Sequence, residues 1–259
     1  MISYIIKDKS TRLFIILGGF FIANTLIAEV IGVKIFSLED SLGIQKADFS
    51  LLGVEHLSFN LTVGVLPWPI VFIMTDIINE YYGVKGVRFL SLLTAALIGF
   101  MFVVFFFAIE LVPSDFWIAS GAANGVPDMQ AAYKQIVGQG MNIIVGSITA
   151  FLIGQIADAF VFRKIKKLTG EKRIWARATI STLVSQLIDS YVVIFIAFYI
   201  YQDWSLGRVL ALATTAYLYK FLVAILCTPV VYGIHWLAER YLGKDLSAQM
   251  KKAALEKGE

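Results

Sequence analysis

The chain has 259 residues, of which 58% are hydrophobic and only 16% charged, with a formal net charge of +3. Its mean hydropathy of +0.76 is far above that of a soluble core of this size, so the bilayer is the relevant solvent. A single cysteine, Cys227, excludes both a disulfide framework and a thiolate metal site.

Six apolar runs recur along the chain, over about 13–35, 61–81, 89–112, 136–162, 174–201 and 209–237. Each reaches the ~20 residues that cross a ~30 Å hydrocarbon layer as a helix. The ~10-residue alternating segments of a β-barrel are not seen. The fold class expected is therefore all-α: a single membrane domain over 1–259, built as a bundle of six transmembrane helices. The first run has no small-residue cleavage site and is expected to stay as an anchor. Between the first two runs, Ser37 to Asn60 holds the β-rich stretches FSL and LSFNLTV, which predict a small β-hairpin on the outer face. Pro113 to Lys134 is a Gly-, Ala- and Asn-rich loop, and Phe116 and Trp117 suggest a short interfacial helix at its start. The tail, 240–259, is polar and is expected to fray.

Charge orients these spans. Of 22 basic residues, all but Lys34, Lys46, Lys134, Arg208 and Lys220 fall on the side shared by the N-terminus, the second and fourth loops and the tail. By the positive-inside rule that side is cytoplasmic, which puts both termini inside a bacterial inner membrane. The run RKIKKLTGEKR follows a span directly and lacks interleaved aromatics, so it reads as a topology signal with anionic-lipid contact. No direct nucleic-acid contact is expected of it.

The residues most informative about function are those that hydrocarbon disfavours. They are Asn24 and Glu29 in the first span, Asp76, Asn79 and Glu80 in the second, Gln139, Asn142, Gln155 and Asp158 in the fourth, Gln186 and Asp189 in the fifth, and Lys220 in the sixth. A charge at the bilayer centre costs on the order of 3 kcal/mol, so such groups face a bundle interior, a partner or water. Asp76, Asn79 and Glu80 share a helix face at i, i+3 and i+4, and the Gln155/Asp158 and Gln186/Asp189 pairs share faces at i and i+3. Amides also glue helices together, and a carboxylate can simply neutralise Lys220, so each residue taken alone has a structural reading. Glu29, Glu80 and Asp158 lie near span ends, where a charge is cheaper.

A carboxylate accepts parallel hydrogen bonds from a ring N–H and an exocyclic amine, while an amide donates to a carbonyl; together they complement a guanine-like edge. Residue chemistry by itself reaches only a small polar heterocycle, held among some of the chain's 20 Phe. Within LPWPIVFIMTDIINEYYG, Pro67 and Pro69 allow two readings. The second helix starts inside the membrane after an extended 60–66 stretch and aims its N–H groups at a cavity, or proline occupies the first turn of an ordinary helix. No Walker motif, HExxH or GxSxG is present; His56 falls in an outer loop and His235 reads as interfacial, so an enzyme is not expected and no cofactor is implied.

Five stretches in register resemble the bacterial queuosine-precursor transporter family, also described as vitamin uptake transporters. They are NTLIAEVIGVKIF, TDIINEYYGVKGVR, GQIADAFVFRKI, STLVSQLIDSYVVIFIAF and YKFLVAILCTPVVYG. The resemblance implies import of deazaguanine bases, in cyano or aminomethyl form, or of queuine, for salvage into a modified tRNA nucleoside. It carries over to Asp76, Glu80, Tyr82, Gly83, Gln155, Asp158, Gln186, Asp189 and Lys220. Asp189 and Asp76 are then base-edge acceptors, Gln186 and Gln155 orienting amides, and Lys220 a counter-ion; Asn24, Glu29 and Asn79 complete the candidate set. Gly83, in YYGVKG, reads as a left-handed helix end. The partners implied are a small-molecule substrate and the bilayer, and a homo-oligomer is compatible with them. A secondary carrier or facilitator is the default mechanism. The alternatives are a substrate-binding subunit of an ATP-driven importer and a carrier of another nucleobase-like or vitamin-like solute.

Overall fold

The computed structural model describes residues 7–138, 144–170, 174–200 and 203–256. Helix α1 (Lys9–Ile31) opens on Asp8, whose carboxylate accepts from the Thr11 amide at 2.9 Å. Donors from the Thr11 side chain and backbone and from Ser10 hold that carboxyl down to about 2. Leu13, Leu17, Phe21, Thr25 and Ala28 recur every three or four residues and form the buried stripe of α1.

The segment that follows is two short antiparallel ladders. Strand β1 (Ile35–Ser37) pairs with β4 (Asn60–Thr62), and β2 (Phe49–Leu51) with β3 (Val54–Leu57). A hairpin is present as β2–β3, but FSL pairs with Val54–Leu57, and LSFNLTV instead supplies β4, which pairs with β1 and closes the base of the hairpin. A one-turn helix α2 (Leu38–Leu42) lies between β1 and β2.

Helix α3 (Trp68–Glu110) covers two of the expected spans. Its 43 residues would extend about 64 Å if straight, at ~1.5 Å per residue, roughly twice the hydrocarbon thickness. The chain instead turns at Gly83, where φ is 70° and ψ −175°. Contacts with α1 give the sense of the turn. Tyr82 donates its hydroxyl to the Ser10 carbonyl at 2.6 Å, and a Cβ on Gly64 would lie 2.7 Å from the Ala28 carbonyl oxygen, so the first leg runs antiparallel to α1. A Cβ on Gly18 would lie 3.0 Å from Leu90, so after Gly83 the chain climbs back along α1. Glycine is required at 83 twice over, by the positive φ and because a Cβ would sit 2.9 Å from the Ala254 carbonyl oxygen.

Of the two readings of Pro67 and Pro69, the structure has proline, Pro69, in the first turn of the helix, and the 60–66 stretch is extended only at its start. Residues 60–62 are strand, Val63–Val65 form a single 3₁₀ turn, and the helix begins at Trp68 with Pro67 as its cap.

Beyond Glu110 come α4 (Asp115–Ile118), which is the short helix expected near Trp117, and α5 (Met129–Gly138). Then follow α6 (Ile144–Thr169) and α7 (Ile174–Ile194), which widens into a π turn over Phe195–Ile200. Helix α8 (Leu206–Leu226) bends at Cys227 into α9 (Thr228–Leu242), with Pro229 in the new first turn. Among the described residues four segments are long and apolar enough to cross a membrane: Lys9–Ile31, Val63–Glu110, Ala176–Ile200 and Leu206–Leu226. Phe20, Phe100, Phe107, Phe160 and Leu222 stand exposed around the outside, as a lipid-facing belt requires. The chain is an all-α multi-pass membrane protein with a small β element.

The tail departs from expectation. Residues Lys244–Glu256 form helix α10, which docks Leu246, Met250 and Ala254 against the core at the Gly83 turn. Lys251 reaches back to Glu239 on α9, and Glu239 together with Tyr81 keeps its ammonium favoured above the usual lysine range despite partial burial. Those apolar positions recur at i, i+4 and i+8, an amphipathic pattern that the polar composition had masked.

The core lies where α1, α3, α6 and α9 meet, around Phe21, Val71, Ile77, Ile78, Phe151, Phe162 and Val231. Helix α6 packs along both α3 and α7, and α7 along α8, whereas α3 and α7 touch only sparsely. That arrangement leaves a cleft between the first leg of α3 and the α7–α8 pair.

Candidate functional site

Four helices and one turn line this cleft. The first leg of α3 and the turn before it supply Val65, Trp68, Pro69, Phe72, Ile73 and Asp76. Helix α7 supplies Ala178, Thr179, Thr182 and Gln186, while α8 and α9 supply Tyr219, Lys220, Val223, Ala224, Cys227 and Val231. Mostly apolar walls with a few polar groups are what small-molecule sites share. Trp68 and Phe72 stack with centroids 5.6 Å apart and make a flat wall near the start of α3.

The helical spacing of α3 puts Asp76 one turn beyond Phe72 on the cleft face. Asp76 is 2% exposed, and its Oδ1 has no hydrogen-bond partner among the described residues. Gln186 is equally buried, and its Nε2 likewise lacks one. An orphaned acceptor and an orphaned donor thus line one cavity, in a class of molecule that otherwise satisfies buried polar atoms.

Lys220 completes the charged lining. Its Nζ donates to Asp189 Oδ2 at 2.6 Å, and both side chains are 13% exposed. Asp189 itself, expected as a base-edge acceptor, is not a lining residue. The counter-ion role expected of Lys220 fits this geometry, and Asp189 is the group it neutralises.

The other sequence candidates lie elsewhere. Gln155 Oε1 is 3.1 Å from the Thr75 hydroxyl, and Asn79 Nδ2 donates to the Ala159 carbonyl at 3.1 Å, so both tie α6 to α3. Asp158 is fully buried and accepts from Ser185 at 3.3 Å, with Oδ2 unpartnered among the described residues. Glu29 accepts from Ser147 at 2.6 Å, and Asn24 donates to the Phe20 carbonyl of its own helix at 2.8 Å. Gln139 and Asn142 lie outside the described residues.

Glu80 belongs to a second cluster, below the cleft. Its carboxylate meets Arg177 at 2.8 Å and Lys166 at 3.0 Å, and all three side chains are essentially inaccessible. Arg177 also donates to the Gly170 carbonyl at 2.8 Å, and Lys166 to the Glu80 carbonyl at 3.0 Å. Sequence reasoning counted these two cations only as topology signals. Glu80 itself, a carboxylate at a span end facing α6 and α7, was the available sign that a partner was needed. His235, read as interfacial, is instead 2% exposed and lies 6.3 Å from the Tyr81 ring. His56 pairs with Asp48 at 3.0 Å on the exposed outer hairpin.

Apolar helices around a half-open cleft, with unsatisfied polar groups among its lining residues, are an arrangement suited to a membrane protein that handles a solute. The sequence matches the family described as "Putative vitamin uptake transporter" over residues 62–234, more than half of the chain, and the chain belongs to that family. The family is one of transporters, not enzymes. A relative from Bacillus subtilis (strain 168), named a probable queuosine precursor transporter, is 27% identical over 184 residues, covering 70% of this chain and 74% of its own. The queuosine precursor transporter of Escherichia coli (strain K12) is 27% identical over 187 residues, 71% of this chain and 76% of that one. A probable queuosine precursor transporter of Haemophilus influenzae is 25% identical over 189 residues, 71% and 72% of the two chains. No solved structure matches the chain.

Proposed function

We propose that this protein imports queuosine precursors, as deazaguanine bases or queuine, and that the cleft between α3, α7 and α8 is where they bind. The observation that carries this reading is the pair of unpartnered atoms, Asp76 Oδ1 and Gln186 Nε2, in a cavity walled by Trp68, Phe72 and Tyr219. A guanine-type edge offers a ring N–H and an amine to the carboxylate and a carbonyl to the amide, and its plane fits flat apolar walls. The names of three relatives supply the solute class.

In this reading the chain spans a bacterial inner membrane six times with both termini cytoplasmic. The two legs of α3, α1, α6, α7 and the α8–α9 helix are the spans, and transport is that of a secondary carrier or facilitator. The test is uptake of labelled deazaguanine bases and queuine by a precursor-requiring strain expressing the chain, beside Asp76→Asn. Accumulation by the wild type alone, at equal membrane abundance, is the expected result. Absence of accumulation from both would leave only a carrier of some other solute. Transport by the purified chain in liposomes, with no ATPase added, separates a carrier from a subunit of an ATP-driven importer.

A further inference from the structure

We propose that Asp158 is the internal proton acceptor for Asp76: the two carboxylates hold one proton between them, on Asp76 in the empty protein and on Asp158 once a solute is bound. The proposal rests on the cleft being the site for a deazaguanine base, whose edge calls for Asp76 as an ionised acceptor.

Two hydrogen bonds fix α3 against α6, from the Thr75 hydroxyl to Gln155 and from Asn79 to the Ala159 carbonyl, both at 3.1 Å. Asp76 and Asp158 fall within that window. Of the charges acting on Asp76, Asp158 is the strongest, ahead of Glu80 on its own helix and Arg177 on α7. The cations around the pair are committed: Lys166 and Arg177 to Glu80, and Lys220, on α8, to Asp189. Asp76, Asp158 and Glu80 are thus three buried carboxylates beside two buried cations, and one bound proton makes the group neutral.

The partners of the two carboxylates differ, and the difference gives the proton two places. Asp76 Oδ1 has no hydrogen-bond partner among the described residues, so in the empty protein burial favours a protonated Asp76 over a charged one. Asp158 faces hydroxyls of α7 that suit it in either state. Ser185 has one hydrogen and two oxygens in reach, Asp158 Oδ1 at 3.3 Å and the Thr182 carbonyl at 3.0 Å. Turned to the first, it donates to an ionised Asp158; turned to the second, it offers a lone pair to which a protonated Asp158 donates. Ser181, one turn earlier, also reaches Asp158 and has the Ala178 carbonyl at 3.2 Å as its alternative. When the N–H groups of a base arrive at Asp76, the O–H bond there breaks and one forms on Asp158. No proton enters or leaves the protein in that step, and nothing is oxidised or reduced.

Infrared difference spectroscopy on the purified full chain, before and after adding the neutral cyano-substituted deazaguanine at neutral pH, tests this. The carbonyl band of one protonated carboxyl, which lies above those of amides and of the base, should give way to a second at another frequency. A pH indicator in the medium should register no proton release. Asp158→Asn should lack the second band. Ser185→Ala, which removes the hydroxyl partner, should move the second band and leave the first in place. Loss of the first band with about one proton released per base overturns the proposal, as does a spectrum without a protonated-carboxyl band. A second band that survives Asp158→Asn, or that ignores Ser185→Ala, overturns it too. In each of these cases the base still binds and the deazaguanine site stands; if the base does not bind, the site and the proposal fall together.

Discussion

Two buried polar clusters lie along the same face of α3, a turn apart, and they differ in how completely their groups are matched. Glu80 meets Lys166 and Arg177 at ordinary ion-pair distances, and each cation also donates to a backbone carbonyl, although Arg177 Nε has no hydrogen-bond partner among the described residues. Asp76 makes no ion pair among the described residues, and it shares a cavity with an amide donor that is also unmatched there. Burial is the same in the two, so burial alone does not distinguish a binding group from a structural one. What distinguishes them is whether the protein itself supplies the partner. A closed ion cluster is finished without a ligand, and an open one is completed by a ligand.

The largest expected effect comes from breaking the closed cluster. Glu80→Ala leaves Arg177 and Lys166 as uncompensated buried charges, at a cost of about 3–5 kcal/mol. The expected readout is a steep loss of membrane-inserted protein and of the thermal midpoint in detergent. A variant that accumulates normally yet fails to transport would place Glu80 in the open cluster and erase the contrast.

Next is Asp76→Asn, which keeps the shape and removes the acceptor charge. Uptake should fall by roughly a hundredfold, the loss of a charge-assisted contact, with abundance and thermal midpoint held or raised. Gln186→Leu should be milder. One neutral hydrogen bond to the solute is lost, for roughly a tenfold weaker half-saturation, and an orphaned buried donor is removed from the empty protein. A fall in stability with either variant would mean that these side chains are satisfied within the fold.

Much of this was legible in the chain. Apolar runs located the helices, and glycine in YYGVKG marked the reversal, because a left-handed residue at a helix end is a local property. The polar residues of the spans were legible as exceptions to hydrocarbon. Which of them faced one another was not, since that depends on the rotation of each helix about its axis. Asp189 and Asp76 looked equivalent in sequence, and packing made one the counter-ion of Lys220 and left the other open. Arg177 and Lys166 were hidden for a related reason: a basic residue at an inner span end satisfies the topology rule whether it points to water or to a buried glutamate. The cleft walls were hidden among 20 Phe, most of which have no part in it.

The smallest expected effect sharpens the comparison from outside both clusters. Asn24 is a polar residue in the middle of an apolar span, the same signal that singled out Gln186. Its amide is spent on the Phe20 carbonyl one turn back, and it neither lines the cleft nor touches Glu80, Lys166 or Arg177. That carbonyl already accepts in the α1 ladder, so Asn24→Leu removes a redundant bond and trades a half-exposed amide for a side chain that lipid accepts more readily. Uptake and half-saturation should stay within about twofold of wild type, with no loss of abundance. A large effect on half-saturation would draw α1 into the binding site, and the distinction between matched and unmatched buried groups would no longer be enough to find it.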